Sequence, residues 1–512
     1  MSPRALALAA CVTLAAAVRV HRLEEVPPGF YLDEAVCAVE GYSIATSGRD
    51  SWGNRFPVLF RGLGDWRHPL HIYSIALSEK VLGPTRFSVR LPEAVFGTLT
   101  VLLLALLVTE LGGDARVGLV SALVLALTPW HIQQSRMAWE AVFLGFTAVL
   151  ALLLHARART RGGAGRFAAA GAGFGLALYS YPPAKLLVPA LLAAIAAIEL
   201  RERRAGRGKV EPRTALAFAA ALALVALPLV VLHVEHYSEI QSRFEQISLL
   251  HGEHPARDIL RSYFAHFDPR FLFVSGDPLL RHGWGSGELL PVTAAFVLAG
   301  IVRAATRRGP WDLLLLAWLA IFPLASAVTE GAPSALHACL GAPLFPILAA
   351  EGAILVLDRV KAARRSLVEL VLAGALLANA GVAIRSYFVD YPRLAGRDWT
   401  SGVERLIPEL VLRRNVWRRV HFMPGPRIDL WVIPAHVRFF TRFEPELDPG
   451  RPGGYFAWDQ NVESWPRFLA RLPRDEVLVT WGDWPWRGPS ALDVLDDGGN
   501  VAFRVYAGLG AR

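Results

Sequence analysis

The chain has 512 residues, 54% of them hydrophobic and only 19% charged, with a formal net charge of +9. That apolar share is too high for a water-soluble chain of this size, and the positive excess sits in short loops without the aromatic interleaving or basic groove of a nucleic-acid binder. Three cysteines, Cys11, Cys37 and Cys339, make neither a disulfide framework nor a zinc spacing, although Cys37 and Cys339 are both expected near one face, where a bond between them is conceivable.

From residue 5 to residue 384 the chain repeats one unit about eleven times: an apolar run of roughly membrane-spanning length, closed on alternate sides by an arginine cluster or by a polar, aromatic-rich loop. The first run, Ala5 to Val18, follows Arg4 and has the length of a signal h-region. No small-residue cleavage site precedes Arg19-Val20-His21-Arg22, so it reads as an uncleaved anchor. Further spans are expected near 91–108, 117–131, 138–155, 167–182, 184–200, 214–232, 289–302, 311–328, 337–357 and 366–384.

Lysine and arginine beside span ends are retained on the cytoplasmic side. Arg157, Arg159, Arg161 and Arg166 form one cluster; Arg201, Arg203, Arg204, Arg207, Lys209 and Arg213 a second. Arg303, Arg307 and Arg308 form a third, and Arg359, Lys361, Arg364 and Arg365 a fourth. This predicts an integral protein of the plasma (inner) membrane, its N-terminus cytoplasmic and its C-terminus extracytoplasmic.

Two outer loops, 19–90 and 233–288, are too long for simple connectors and carry Trp, Tyr, Phe and His throughout, unlike disordered segments. Leu70 to Leu82 is apolar but interrupted by Glu79 and Lys80, which suits a helix lying at the membrane surface. After residue 384 hydropathy falls, and β-rich runs at Arg419–Met423, Glu476–Trp481 and Ala502–Tyr506 alternate with helical stretches near 400–413 and 462–471. A small α/β extracytoplasmic domain, 385–512, is expected after a membrane domain, 1–384. The Trp481 to Trp486 run would either contact carbohydrate or fill that domain's core, and core filling is the simpler account.

Asp33-Glu34, a few residues past the first span, is the most telling polar group. A carboxylate at the lip of a membrane cavity is partly desolvated, which raises its pKa and suits it to take a proton from a hydroxyl nucleophile. An Asp followed by Glu also opens many helices, and local sequence alone favours that capping role. In Ser135-Arg136-Met137-Ala138-Trp139-Glu140 the charged pair is four residues apart, so a helix would set both on one face at the outer end of the fourth span. A local ion pair accounts for them, yet ionisable groups just inside a span are costly and more often functional.

Tyr179-Ser180-Tyr181-Pro182-Pro183-Ala184-Lys185 forms a tight outer turn. Its lysine runs against the charge bias of the other outer turns and wants an anionic partner, a lipid phosphate or ordinary headgroups. Asp65-Trp66-Arg67-His68-Pro69-Leu70-His71 and Thr329–His337 add polar groups on the same face. Their histidines and carboxylates are types a divalent metal accepts, but no fixed ligand spacing is visible, and interfacial hydrogen bonding is the better default.

The order of these segments resembles a family. An Asp-Glu pair in the first outer loop is followed by Arg67-His68-Pro69-Leu70, by Arg90-Leu91-Pro92 with a Gly-Thr-Leu-Thr-Val span, and by Leu127-Thr128-Pro129-Trp130-His131 before Ser135-Arg136 and a carboxylate. Together they look like the GT-C membrane glycosyltransferases of the protein O-mannosyltransferase and aminoarabinose transferase kind. The likeness is best over the first 200 residues and looser through Thr329–Pro346. It implies a polytopic α-helical GT-C-like fold and inverting transfer of a sugar from a polyprenyl-phosphate donor to a lipid, glycan or protein acceptor at the outer face. Asp33, with Glu34 beside it, matches the proposed catalytic base, and Glu140 falls where a second acid, commonly Asp, is placed. Arg136 and Lys185 are then candidate phosphate ligands, with Tyr181, Asp65, Arg67, His68 and His337 as further substrate contacts. His68 replaces the first proline of the usual Pro-Pro pair, and His337 stands where related chains often have arginine. Two other readings stay open: a transporter or lipid flippase, disfavoured because no internal repeat is visible and the charges gather at span ends, and a non-catalytic scaffold of the same fold.

Overall fold

A computed structural model describes residues 2–62, 65–208, 210–423, 432–449, 451, 453–458, 464–482, 484 and 488–510. Lys209 of the second arginine cluster and Asp483, Pro485 and Trp486 of the tryptophan-rich run lie outside the described residues.

Every apolar run anticipated above is helical. In chain order the helices are α1 (Pro3–Val20), α2 (Leu32–Ser47), α3 (Pro69–Leu82), α4 (Arg86–Gly112), α5 (Ala115–Leu127), α6 (Pro129–Gln134) and α7 (Ala141–Arg161). Next come α8 (Ala164–Ala177), α9 (Ala184–Arg204), α10 (Pro212–Glu235), α11 (Tyr237–Ile247), α12 (Pro255–Ala265), α13 (Ala294–Arg307) and α14 (Pro310–Ile321). The last are α15 (Leu324–Ala327), α16 (Gly341–Leu357), α17 (Ala362–Val389), α18 (Tyr391–Ala395), α19 (Val403–Leu412), α20 (Val432–Phe440) and α21 (Trp465–Arg471). Among the described residues six segments are long and apolar enough to cross a membrane, namely α1, α4, α7, α10, α14 with α15, and α17; α5 and α16 are shorter apolar helices.

Local chemistry explains where the boundaries differ from expectation. The run expected at 117–131 divides at Thr128, which is extended as a residue before proline favours: α5 stops at Leu127, and Pro129 opens α6 at its first position. Residues 135–140 are turns and bends rather than the start of α7, so Arg136 and Glu140 do not share a helix face. No disulfide joins Cys37 and Cys339; all three cysteines are buried thiols.

By contacts the chain forms two units. The first comprises Met1–His21, Pro57–His71 and Leu91–Ser386, and the second Arg22–Phe56, Ile72–Arg90 and Tyr387–Arg512. In the first, the helices enclose one large apolar core in which Trp130, Phe322 and Phe345 meet. Two buried tryptophans there satisfy their N–H groups on backbone, Trp130 on the Ala335 carbonyl at 2.8 Å and Trp318 on the Leu340 carbonyl at 3.0 Å. α13 and α16 approach closely through glycines: a Cβ on Gly300 would lie 2.0 Å from the Leu348 oxygen, and one on Gly352 1.9 Å from the Phe296 oxygen. Small residues at such crossings let membrane helices gain dispersion contacts where no hydrophobic force drives them together. A short hairpin, β1 (Phe60–Arg61) with β2 (Trp66–Arg67), also belongs to this unit.

The second unit holds a five-stranded sheet of β3 (Arg419–Phe422), β4 (Phe456–Trp458), β5 (Glu476–Trp481), β6 (Leu492–Leu495) and β7 (Val501–Ala507), in the order β4-β3-β5-β7-β6. β3 runs parallel to β4 and β5, and β7 antiparallel to β5 and β6. The period-two pattern of β5 divides its side chains: Val477 and Val479 join the core with α19 and α20, and Leu478 joins the opposite one with Leu469, Leu472 and Tyr506. Trp481 lies against Phe503 and Trp484 against Tyr506, so these two tryptophans serve packing.

Candidate active site

In the second unit the sequence Pro27-Pro28-Gly29 leads into α2. Gly29 has φ +67°, and a Cβ there would fall 2.5 Å from the Trp399 carbonyl oxygen, so only glycine fits. Tyr31 is the N-cap, which leaves Asp33 at the second helical position, half-buried, and Glu34 at the third, fully buried. The capping role that local sequence offered to Asp33 thus falls to Glu34, which accepts the Tyr31 N–H at 3.2 Å. Both Glu34 oxygens also meet Arg90, at 2.8 and 2.7 Å, and this guanidinium donates further to the carbonyls of Leu23, Pro27 and Gly29. Glu34 is therefore one half of a buried bidentate pair that fixes the start of α2.

In the first unit the structure gathers several of the predicted residues. Glu140 stands immediately before α7, where the helix dipole favours an anion, and one oxygen accepts the His68 backbone N–H at 2.8 Å. It also acts electrostatically on Lys185, at the start of α9. His68 is fully buried; burial first, then the charges of Lys185 and His233, hold its imidazole well below its usual pKa. Arg67, on β2, reaches Asp65 at 3.3 Å. Its charge, after burial, also helps to lower the His71 pKa to about 3, with His71 Nδ1 2.7 Å from Glu93 Oε1. Tyr181 is buried with its ring centroid 6.4 Å from that of His337.

Arg136 does something else. It is fully buried and donates to the carbonyls of Val18 and Arg19, each at 2.7 Å, and of His21 at 2.8 Å, which satisfies the carbonyls left over at the end of α1. Arg19 is likewise spent on the carbonyls of Ala15, Leu125 and Ala126 and on His131 Nδ1 at 2.7 Å.

A second polar group was not singled out from the sequence. Asp277 Oδ2 lies 3.2 Å from His282 Nδ1 and accepts the Ala335 N–H at 2.7 Å, while Glu288 accepts the Asp277 N–H at 2.9 Å. Glu288 is held well above the usual carboxylate pKa by burial and then by Asp277. His266 donates from Nδ1 to the Ser262 carbonyl and accepts the Ser334 N–H at Nε2, so its neutral form is fixed, and burial lowers its pKa to about 4. The available signal was that the 233–288 loop is rich in histidine and aromatic residues; no local spacing picked these positions out. Among the described residues no three His, Cys, Asp or Glu side chains are grouped as ligands of one metal ion.

Residues 67–231 match the family model described as dolichyl-phosphate-mannose-protein mannosyltransferase. No curated protein matches the chain in sequence. Among solved structures the chain is similar to ArnT from Cupriavidus metallidurans bound to undecaprenyl phosphate, with a TM-score of 0.60 and 14% identity over 99% of both chains. The apo form of that protein gives 0.59 and 12%, over 99% of this chain and 98% of that one. The archaeal oligosaccharyltransferase AglB from Archaeoglobus fulgidus, in complex with an inhibitory peptide and a dolichol-phosphate, gives 0.55 and 16%, over 89% of this chain and 64% of that one. At these identities the structures establish the fold, and the family model supplies the sequence pattern on part of it. Residues 67–231 thus carry the pattern of the mannosyltransferase family model, and the chain as a whole has the fold shared by ArnT and AglB.

Proposed function

We propose that this chain transfers a sugar from a polyprenyl-phosphate-linked donor to an acceptor at the extracytoplasmic face, with inversion, and that Asp33 is the general base. The observation that carries the reading is the cluster of Glu140, His68 and Lys185, built from three separate stretches within the segment that matches the mannosyltransferase pattern. Two of the proteins that share the fold are described with undecaprenyl phosphate or dolichol-phosphate.

In this mechanism the acceptor hydroxyl gives its proton to Asp33 as its oxygen attacks the anomeric carbon, on the face opposite the leaving phosphate. The phosphate gains charge as the glycosidic bond breaks, and Lys185 and Arg67 are the cations we assign to hold it. Glu140 orients Lys185 and the His68 segment, and Tyr181 and His337 contact substrate. Arg136, committed to helix-end carbonyls, serves position rather than phosphate, and Glu34 holds the backbone beneath Asp33.

The same reading takes eleven crossings: α1, α4, α5, α7, α8, α9, α10, α13, α14 with α15, α16 and α17. It sets the arginine clusters in the cytoplasm and treats 385–512 as an outer domain of a plasma-membrane protein. The test is to incubate purified protein with a panel of polyprenyl-phosphate sugars and follow release or transfer of the sugar. Turnover of at least one donor is expected in the wild type, with a hundred- to ten-thousand-fold loss in Asp33→Asn, roughly the value of a general base. Near-normal turnover in a folded Asp33→Asn protein removes Asp33 from the mechanism.

A further inference from the structure

The second unit contains a cleft of about 810 Å³, within the usual range of ligand sites, to which nothing above gives a role. Part of its lining is apolar: Phe388 and Val389, the last two residues of the 28-residue apolar helix α17, with Phe439 and Phe440 of α20. The polar part carries five arginines from separate stretches, Arg22, Arg86, Arg393, Arg405 and Arg442. Two are neutralised where they stand, Arg22 by Glu25 at 2.7 Å and Arg405 by Asp497 at 3.0 Å. Among the described residues the other three form no ion pair, although Glu24 and Glu404 also line the cleft and act on Arg86 at longer range. Arg86 gives one N–H to the Gly29 carbonyl at 3.4 Å.

The backbone is strained where it brings one of these arginines to the cleft. Arg442 and Phe443 are consecutive left-handed residues, φ 52° and 60°, a conformation that non-glycine residues adopt at a cost. The turn is held by the Phe443 ring, stacked on Tyr42 with centroids 3.8 Å apart and planes at 5°.

Three guanidinium groups around one hollow, offset in part by Glu24 and Glu404, suit an anionic ligand with several oxygens, and a phosphate ester offers more acceptors to them than a single carboxylate. The aromatic part of the lining, at the end of a helix of membrane-spanning length, suits an apolar body attached to that phosphate. We infer that this cleft binds the phosphate group of an amphiphile, a phospholipid or phosphorylated glycolipid headgroup, at a site made only of second-unit residues. Lys185 and Arg67, assigned above to the donor phosphate, are not among the residues that line this cleft.

The test uses the purified full-length chain in an uncharged detergent and measures binding of a fluorescent short-chain phosphatidic acid, with inorganic phosphate and an uncharged diacylglycerol as competitors. Phosphatidic acid should bind, and inorganic phosphate should compete only at concentrations at least about tenfold higher. Arg442→Gly and Arg393→Gln should each weaken binding roughly tenfold, the loss of a charge-assisted contact. Glycine takes the left-handed turn freely, so the Arg442→Gly protein should unfold at the same temperature as the wild type or higher, which separates lost binding from lost fold. Undiminished affinity in the double variant overturns the site, as does diacylglycerol binding as tightly as phosphatidic acid. Equal affinity for inorganic phosphate and phosphatidic acid overturns the amphiphile as ligand.

Discussion

Glu34 is held in a buried pair with Arg90, whereas Asp33 beside it is half-buried. Both members of that pair are fully buried, so removing one leaves an unpaired charge out of water. Arg90→Leu should cost about 3 to 5 kcal/mol, read as a lower unfolding temperature, whereas Asp33→Asn should leave that temperature nearly unchanged and act on turnover. The sequence brought Asp33 and Glu140 forward as acids near span ends, but it could not separate Glu34 from Asp33. The deciding partner, Arg90, is 56 positions away, just as the carbonyls that engage Arg136 are 115 to 118 away. His266 carries a pH consequence. Its folded pKa, about 4, is below the unfolded value of roughly 6.5, so the unfolded chain binds the extra proton first. The neutral form's contribution is complete above about pH 6.5 and is lost as pH falls toward 4; unfolding temperature should decline over that window, and His266→Gln should flatten part of the decline.

At the level of helices and strands, hydropathy was a faithful guide because each apolar run is long compared with the error at its ends. It failed where geometry depends on a single backbone feature. Pro129 divided one run in two, and the turn over 135–140 removed the helix that would have aligned Arg136 with Glu140. The β1–β2 hairpin, two residues in each strand, is too short to show any alternation, yet it carries Arg67 and leads to His68. The crossing of α13 with α16 was also invisible, since a glycine in an apolar run announces no partner. Gly352→Leu should force those helices apart and cost about 1 to 3 kcal/mol or more, seen as reduced yield of folded protein, while Ala substitution at Gly374, where a Cβ meets nothing, should be tolerated.

Across the whole chain, the arginine clusters predict an orientation that single-cysteine labelling can check. In intact cells a cysteine replacing Arg207 should react with a membrane-impermeant thiol reagent only after permeabilisation, and one replacing Asp475 should react at once. The reverse pattern would invert the proposed topology and place Asp33 on the cytoplasmic side. The C-terminal strands were legible because β-branched and aromatic residues alternate there, and β3, β5 and β7 fall where those runs were placed. The grouping of residues 22–56 and 72–90 with the C-terminal segment was not, because hydropathy has no means of pairing stretches hundreds of residues apart.

That pairing imposes an order in time. The Phe30 carbonyl is engaged by Thr400 and by His436, 370 and 406 residues later, and its ring stacks on Phe439. A ribosome making roughly 5 to 20 residues each second supplies those partners about 20 to 80 s after Phe30 emerges. Until then the nascent segment bearing Asp33 has no finished support, so a protease that reaches the outer face should cut it in chains arrested at residue 386 and spare it in completed ones.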